Sequence, residues 1–186
     1  MTDSASKPGR PAGPATETRD VVLNAALDLL LREGGAALTA QRLHQATGVS
    51  RSTIYRHWPS PVDVLAALIE VAPSPERASL GDPRADLHAE VDALGARLRD
   101  RPVAAFLRAL AATTSPGEDA VVLRHRYVDD LVAPFRRVLA NAGLAQEDTE
   151  DVVAAVVAPL LVDALLMDRP AGLARAHRTV DRLLPG

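Results

Sequence analysis

Apolar residues recur three and four positions apart along most of the chain, and no segment alternates strictly between apolar and polar. This periodicity predicts about nine helices and no strand. Val22, Leu23, Ala26, Leu27, Leu30 and Leu31 form the stripe of a first helix, which starts near Thr16 or Thr18 and stops at Gly34-Gly35. Thr39 is the N-cap of a short second helix running through Leu43 to Ala46. Gly48 makes a turn, and Ser50 caps a third helix from Arg51 to Trp58. Ser60, Pro61 and Asp63 supply the cap, the first-position proline and the first-turn acid of a fourth, with Val64, Leu65, Leu68 and Ile69 as its apolar side.

Residues 72–83, APSPERASLGDP, break this pattern and read as a linker between a head and a body. Asp82-Pro83 opens a fifth helix with Leu87, Val91, Leu94 and Leu98 on one face. A sixth follows Arg101-Pro102 and carries Val103, Phe106, Leu107 and Leu110. Ser115 to Glu118 is a capping box before a long seventh helix through Leu123, Tyr127, Leu131, Phe135 and Leu139, with Pro134 inside it and a stop at Asn141 to Gly143. The eighth runs from about Gln146 to Met167 and the ninth from Pro170 to Leu184. Residues 1–16 have no periodicity and are expected to be a flexible arm. The domains are thus an arm at 1–16, a head at 17–72 and a body at 82–186.

Composition and charge sharpen this picture. Hydrophobic residues make up 47% of the 186 and aromatics only 3%, so the core is built of Ala, Leu and Val. The absence of cysteine removes disulfides and thiolate metal sites. The longest apolar stretch, Val152 to Met167, is interrupted by Pro159 and Asp163 and is too short to span a bilayer, and no apolar run opens the chain, so a soluble cytoplasmic protein is expected. The net charge of −3 argues against a nucleic-acid partner until it is divided. Residues 1–60 hold seven basic and five acidic groups, and residues 61–186 hold 14 and 19, giving +2 on the head and −5 on the body.

The chemistry-bearing segment is 39–58, a helix-turn-helix. Leu43, Val49 and Ile54 can pack its two helices together. The second helix has an apolar inner side, Ile54 and Trp58, and a polar outer side, Arg51, Ser52, Tyr55 and Arg56. Arginine matches guanine O6 and N7 through two parallel hydrogen bonds, and hydroxyl or ring N–H groups suit phosphate. No nucleophile–base pair, phosphate-binding glycine loop or zinc motif is present, and His44, His88, His125 and His177 have no metal-ligand spacing, so neither catalysis nor a cofactor or metal is expected.

The run LTAQRLHQATGVSRSTIYRHWPSPVDVLAAL resembles the DNA-binding head of the TetR family of transcriptional regulators, over roughly residues 17–72. Its most specific parts are Leu38-Thr39, Gly48-Val49-Ser50 and Thr53 to Trp58. The resemblance implies an all-α fold, with an N-terminal three-helix helix-turn-helix head and a C-terminal helical ligand-binding and dimerisation body. Carried over by position, Arg51, Ser52 and Arg56 face bases, while Thr39, Gln41, Thr53, Tyr55, His57 and Ser60 meet phosphates. Two positions depart from the family: Pro61 replaces a usual phosphate-binding lysine, and His44 stands where a small residue is usual. Lys7 and Arg10 of the arm either enter a minor groove or stay solvated.

In the body, the resemblance makes the seventh helix a wall of a ligand cavity, with Leu68, Phe106, Leu110, Arg124 and Tyr127 as candidates. Surface charge around one core tyrosine is the alternative reading. The eighth helix is apolar on more than one side, which fits a subunit interface formed by Val153, Val156, Val157, Leu160, Leu161, Val180 and Leu183, or a helix wholly buried within one body. The expected function is a ligand-responsive repressor that grips an inverted-repeat operator in double-stranded DNA as a homodimer, with an unknown small-molecule effector and no membrane association. An all-α ligand carrier or interaction protein without DNA readout is the alternative.

Overall fold

The computed structural model describes residues 15–70, 77–100, 103–112, 118–167 and 169–184. They form helices α1 (Ala15–Glu33), α2 (Ala40–Thr47), α3 (Arg51–His57), α4 (Pro61–Glu70), α5 (Pro83–Asp100), α6 (Val103–Ala112), α7 (Glu118–Asn141), α8 (Gln146–Leu165) and α9 (Leu173–Leu183), with a 3-10 turn at Gly35–Ala37. No strand occurs among the described residues, and none of their helices is long and apolar enough to cross a membrane. The capping box at Ser115 and the arm with Lys7 and Arg10 lie outside the described residues.

Local chemistry accounts for most helix ends. The Thr39 hydroxyl accepts from the Arg42 N–H (3.3 Å) and the Ser50 hydroxyl from the Thr53 N–H (3.2 Å). Ser60 and Asp63 cap each other. The Asp63 N–H donates to the Ser60 hydroxyl oxygen (3.3 Å), and its carboxylate accepts from the Ser60 N–H (2.8 Å). Asp82 caps α5 through the N–H groups of Arg84 and Ala85. At the end of α7, Gly143 takes φ 82° and the Leu144 N–H returns to the Leu139 carbonyl (3.2 Å), a Schellman closure. Pro134 leaves α7 continuous.

The adjacent glycines 34 and 35 serve different ends. Gly34 has φ 82°, a backbone state that disfavours any side chain. Gly35 is small because α6 passes close by: a Cβ there would stand 2.7 Å from the Ala109 Cβ. This approach, together with α4 against α7 and α1 against α6, ties head to body. One continuous apolar cluster runs from Val22 in α1 to Val180 in α9. Part of the expected linker is also fixed. Buried Asp86 accepts from the Ser79 hydroxyl (2.5 Å) and the Leu80 N–H (2.6 Å), anchoring the approach to α5.

Two polar clasps hold α9. The first is Asp163 of α8, only 2% exposed, which accepts from Arg169 (2.7 and 2.9 Å), Arg175 (2.7 Å) and the Gly172 N–H (3.1 Å). The Arg169 hydrogen bond holds its carboxyl below the usual value of 3.8, against the opposing effect of burial. A carboxylate depressed in the folded state stabilises above its unfolded value, and that contribution disappears as pH falls through the folded one. Asp163→Asn is therefore expected to melt earlier than the unsubstituted protein at pH 7. Thermal scans down to pH 3 should show the gap narrowing as pH falls below 3.8; a gap of constant width would refute the ionic role.

The second clasp joins histidines 89 residues apart in sequence. His88 Nε2 faces Asp181 (2.9 Å) and His177 Nε2 faces Asp92 (3.0 Å). The two Nδ1 atoms meet at 2.6 Å, with Arg84 also on Asp181 at 2.5 Å. Periodicity gave no sign of this pairing.

Candidate nucleic-acid interface

The helix-turn-helix is assembled from short-range bonds. Gly48, at φ 73°, ends α2 and sends its N–H to the His44 carbonyl (2.8 Å). The Thr47 hydroxyl donates to the Leu43 carbonyl (2.7 Å) and accepts from the Val49 N–H (3.2 Å). His44 points outward, and its Nδ1 lies 2.8 Å from the Val49 carbonyl oxygen, so an Nδ1–H tautomer latches α2 to the turn. The histidine that departs from the family pattern thus replaces no packing residue and adds a bond across the motif. His44→Ala is expected to cost about 0.5–1.5 kcal/mol of stability, the usual net worth of one hydrogen bond. Chemical denaturation checks it, and an unchanged midpoint would show the latch to be idle.

Beneath this turn Leu43 is fully buried and Ile54 is 1% exposed. Trp58, 8% exposed, closes α3 as its C-cap, with the His57 ring 5.6 Å away at a 50° tilt. Burial of Ile54 and Trp58 turns the opposite side of α3 outward. Arg51, Ser52, Tyr55, Arg56 and His57 are all exposed, and Thr53 is half-buried. Thr39 and Gln41 are exposed at the start of α2. The base and phosphate candidates therefore lie on the accessible side of one supported helix and at the start of its partner.

Two placements alter the expected contact set. Tyr55 is 57% exposed, so much of its side chain is presented to solvent and not only its hydroxyl. The Ser60 hydroxyl donates to Asp63 (2.7 Å), which uses its only proton and sets a carboxylate beside the start of α4. Ser60 thus cannot also donate to a phosphate while this cap stands. Arg42, which pattern reading passed over, is exposed on α2 and paired with Glu33 of α1. A groove of about 800 Å³ lies behind α3, between it and α1 and α4, with Arg19, Arg56, Asp63 and Glu70 among its walls.

The body candidates fare differently. Leu68, Phe106 and Leu110 are 1–3% exposed, and Tyr127 is 9% exposed with its ring 6.0 Å from that of Phe106. They fill the apolar cluster. Burial pushes the Tyr127 hydroxyl up to about 12, against the lowering influence of Arg97. Arg124 is half-buried on α7.

The expected interface residues need the largest correction. Val156, Leu160 and Val180 are fully buried, and Val153 and Val157 are 5% and 3% exposed, all within a single chain. They pack α8 and α9 against their own body and have no surface to offer a second copy. Leu161 is half-buried, and Leu183 is 40% exposed. The outer side of α8 is instead a stripe of Ala154, Ala155, Ala158, Val162 and Leu166, spaced three, four and four residues apart after the first pair.

The fold and this surface define an all-α protein with an N-terminal helix-turn-helix. Residues 22–68 match the family "Bacterial regulatory proteins, tetR family". Over these residues the head is thus similar to the DNA-binding domain of TetR-family regulators. The chain is similar to the nucleoid occlusion factor SlmA of Marinobacter nauticus, 39% identical over 54 residues, a stretch that takes in 29% of this chain and 28% of that protein. Beyond the head the likeness is one of fold. A TetR transcriptional regulator from Agrobacterium tumefaciens superposes with a TM-score of 0.64 at 23% identity, over 89% of this chain and 92% of its own. MexZ of Pseudomonas aeruginosa, described as a key repressor responsible for antibiotic resistance, superposes at 0.60 with 21% identity, over 91% and 96%.

Proposed function

We propose that the chain is a ligand-responsive repressor that binds an inverted-repeat operator as a homodimer. Its units are a DNA-reading head at 17–72 and a ligand-binding and dimerisation body at 82–186. The observation that carries this reading is the outer side of α3. Arg51, Ser52, Tyr55 and Arg56 stand exposed on a helix whose inner side is locked by Ile54 and Trp58. Seven residues of helix suffice to present them to a major groove. Thr39, Gln41, Thr53 and His57 flank this face and serve the phosphates, and the arm with Lys7 and Arg10 adds cations near a minor groove. Pro61 and the Ser60–Asp63 cap take α4's start out of the phosphate grip, which leaves more of it to these groups.

Two chains join through the outer stripe of α8, which places two α3 helices on successive major grooves. An effector in the body then shifts the heads by binding the two arrangements unequally. The close approach of Gly35 to Ala109 is a point through which body movement would reach α1 and α2. Occupancy of a promoter would then repress transcription; MexZ, a protein of this fold, is described as a repressor. Selection from random duplex DNA with the full chain should enrich an inverted repeat with half-sites about one helical turn apart. Failure to enrich any sequence at low salt would instead favour an all-α carrier.

A further inference from the structure

Two helix ends of the head carry charges that work against their own helices. Glu33 is the last residue of α1, where a carboxylate opposes the helix dipole. Arg42 stands in the first turn of α2, where a cation does the same. The two meet: the Arg42 guanidinium donates to both carboxylate oxygens of Glu33, at 2.5 Å to Oε2. Neither side chain is buried, with 45% of Arg42 and 42% of Glu33 exposed. An ion pair so open to water is weakly held and adds little to the stability of the fold. Arg42 is at the same time well placed for phosphate. In a helix-turn-helix the first helix crosses the DNA backbone while the second enters the groove. Arg42 shares the exposed start of α2 with Thr39 and Gln41, and its own N–H is the one that the Thr39 hydroxyl accepts. A helix start and a guanidinium both attract an anion. Among the described head arginines outside α3, Arg19 pairs with Glu70 and Arg32 bonds to the Asp28 carbonyl, both on the flank of α1, so Arg42 is the one on the helix-turn-helix itself.

Resting on the reading of the chain as a DNA-binding regulator, we infer that Glu33 withholds Arg42 from the DNA backbone and so limits how tightly the head grips any duplex. The carboxylate of Glu33 and a phosphate oxygen compete for the same guanidinium fork. While Glu33 keeps it, the head makes one phosphate contact fewer than its cations allow. The Asp63 carboxylate acts in the same direction at the start of α4, where Pro61 already stands in place of a cation. Phosphate contacts carry no sequence information, so Glu33 lowers affinity for operator and random DNA alike and leaves their ratio to Arg51 and Arg56. Glu33 is thus a positioning residue: it touches no DNA and acts through Arg42.

Fluorescence anisotropy of the full chain on a random-sequence duplex, repeated over a series of salt concentrations, tests the inference. Glu33→Gln should strengthen binding about three- to fivefold at fixed salt. It should also steepen the fall of log K with log salt by about 0.9 for each head engaged, the mark of one added phosphate contact. In an Arg42→Gln background the same substitution should gain less than about twofold and leave the slope level, because only a charge is removed and no guanidinium is freed. Circular dichroism establishes that each variant is folded, and Glu33→Ala replaces Glu33→Gln if that one is not. An equal gain in both backgrounds, no gain in either, or an unchanged salt slope overturns the inference. The unsubstituted protein keeps the two readings apart. If it binds no duplex at low salt, the regulator falls and the role of Glu33 with it; if it binds and the Arg42-dependent gain is missing, the role of Glu33 falls alone.

Discussion

Arg51→Ala and Arg56→Ala are each expected to weaken operator binding by about 1–3 kcal/mol and to relax base preference at the contacted position. Both side chains are exposed on α3, and alanine is the best helix former, so neither change should disturb the head. The loss must then come from the DNA side. A guanidinium that reads guanine through two hydrogen bonds leaves O6 and N7 unserved when it is removed, whereas random DNA offers no such pairing to lose. The ratio of specific to non-specific affinity is thus the decisive readout. It should collapse for Arg51 and Arg56 and stay level for Tyr55→Phe or His57→Ala, whose proposed phosphate contacts would weaken all sequences alike. Equal loss on operator and random duplex in the arginine variants would remove them from base reading. Ile54→Ala provides the contrast. With 1% exposure, it should cost the head about 2–5 kcal/mol of stability and take DNA binding with it.

How much of this was legible beforehand depended on whether the signal was local. Caps and turns at Thr39, Gly48, Ser50 and Ser60 act within four residues, and each stands where the pattern put it. The inner and outer sides of α3 followed equally from spacing, since a short helix against a single core leaves little choice of face. What the pattern could not give was contact between distant segments. His88 and His177 meet because α5 and α9 lie side by side, and no spacing rule links them. Gly35 looked like a helix stop and is instead a point of close approach to α6. Ser60 follows the same rule: its hydroxyl, of a kind that suits phosphate, is committed to Asp63.

The same limit decided the face of α8, and it sets the second large effect. The helix is apolar on more than one side, and its larger residues read from the pattern as the subunit contact. In the fold they go inward, because α8 must fill space against α5, α6, α7 and α9. Alanines, with Val162 and Leu166, are left outside. Val162 is 44% and Leu166 78% exposed, an apolar surface that a second α8 can cover at close range over the small residues. Val162→Asp combined with Leu166→Asp should therefore yield a folded monomer, since each carboxylate would lose its hydration if the stripes met. Leu160→Ala should do the reverse. It leaves a hole in the core, costs about 2–5 kcal/mol of stability and keeps the dimer. Sedimentation velocity and thermal melting separate the two results. A dimer that survives both aspartates would move the interface off α8, and a Leu160→Ala monomer with unchanged melting would return the contact to the buried side.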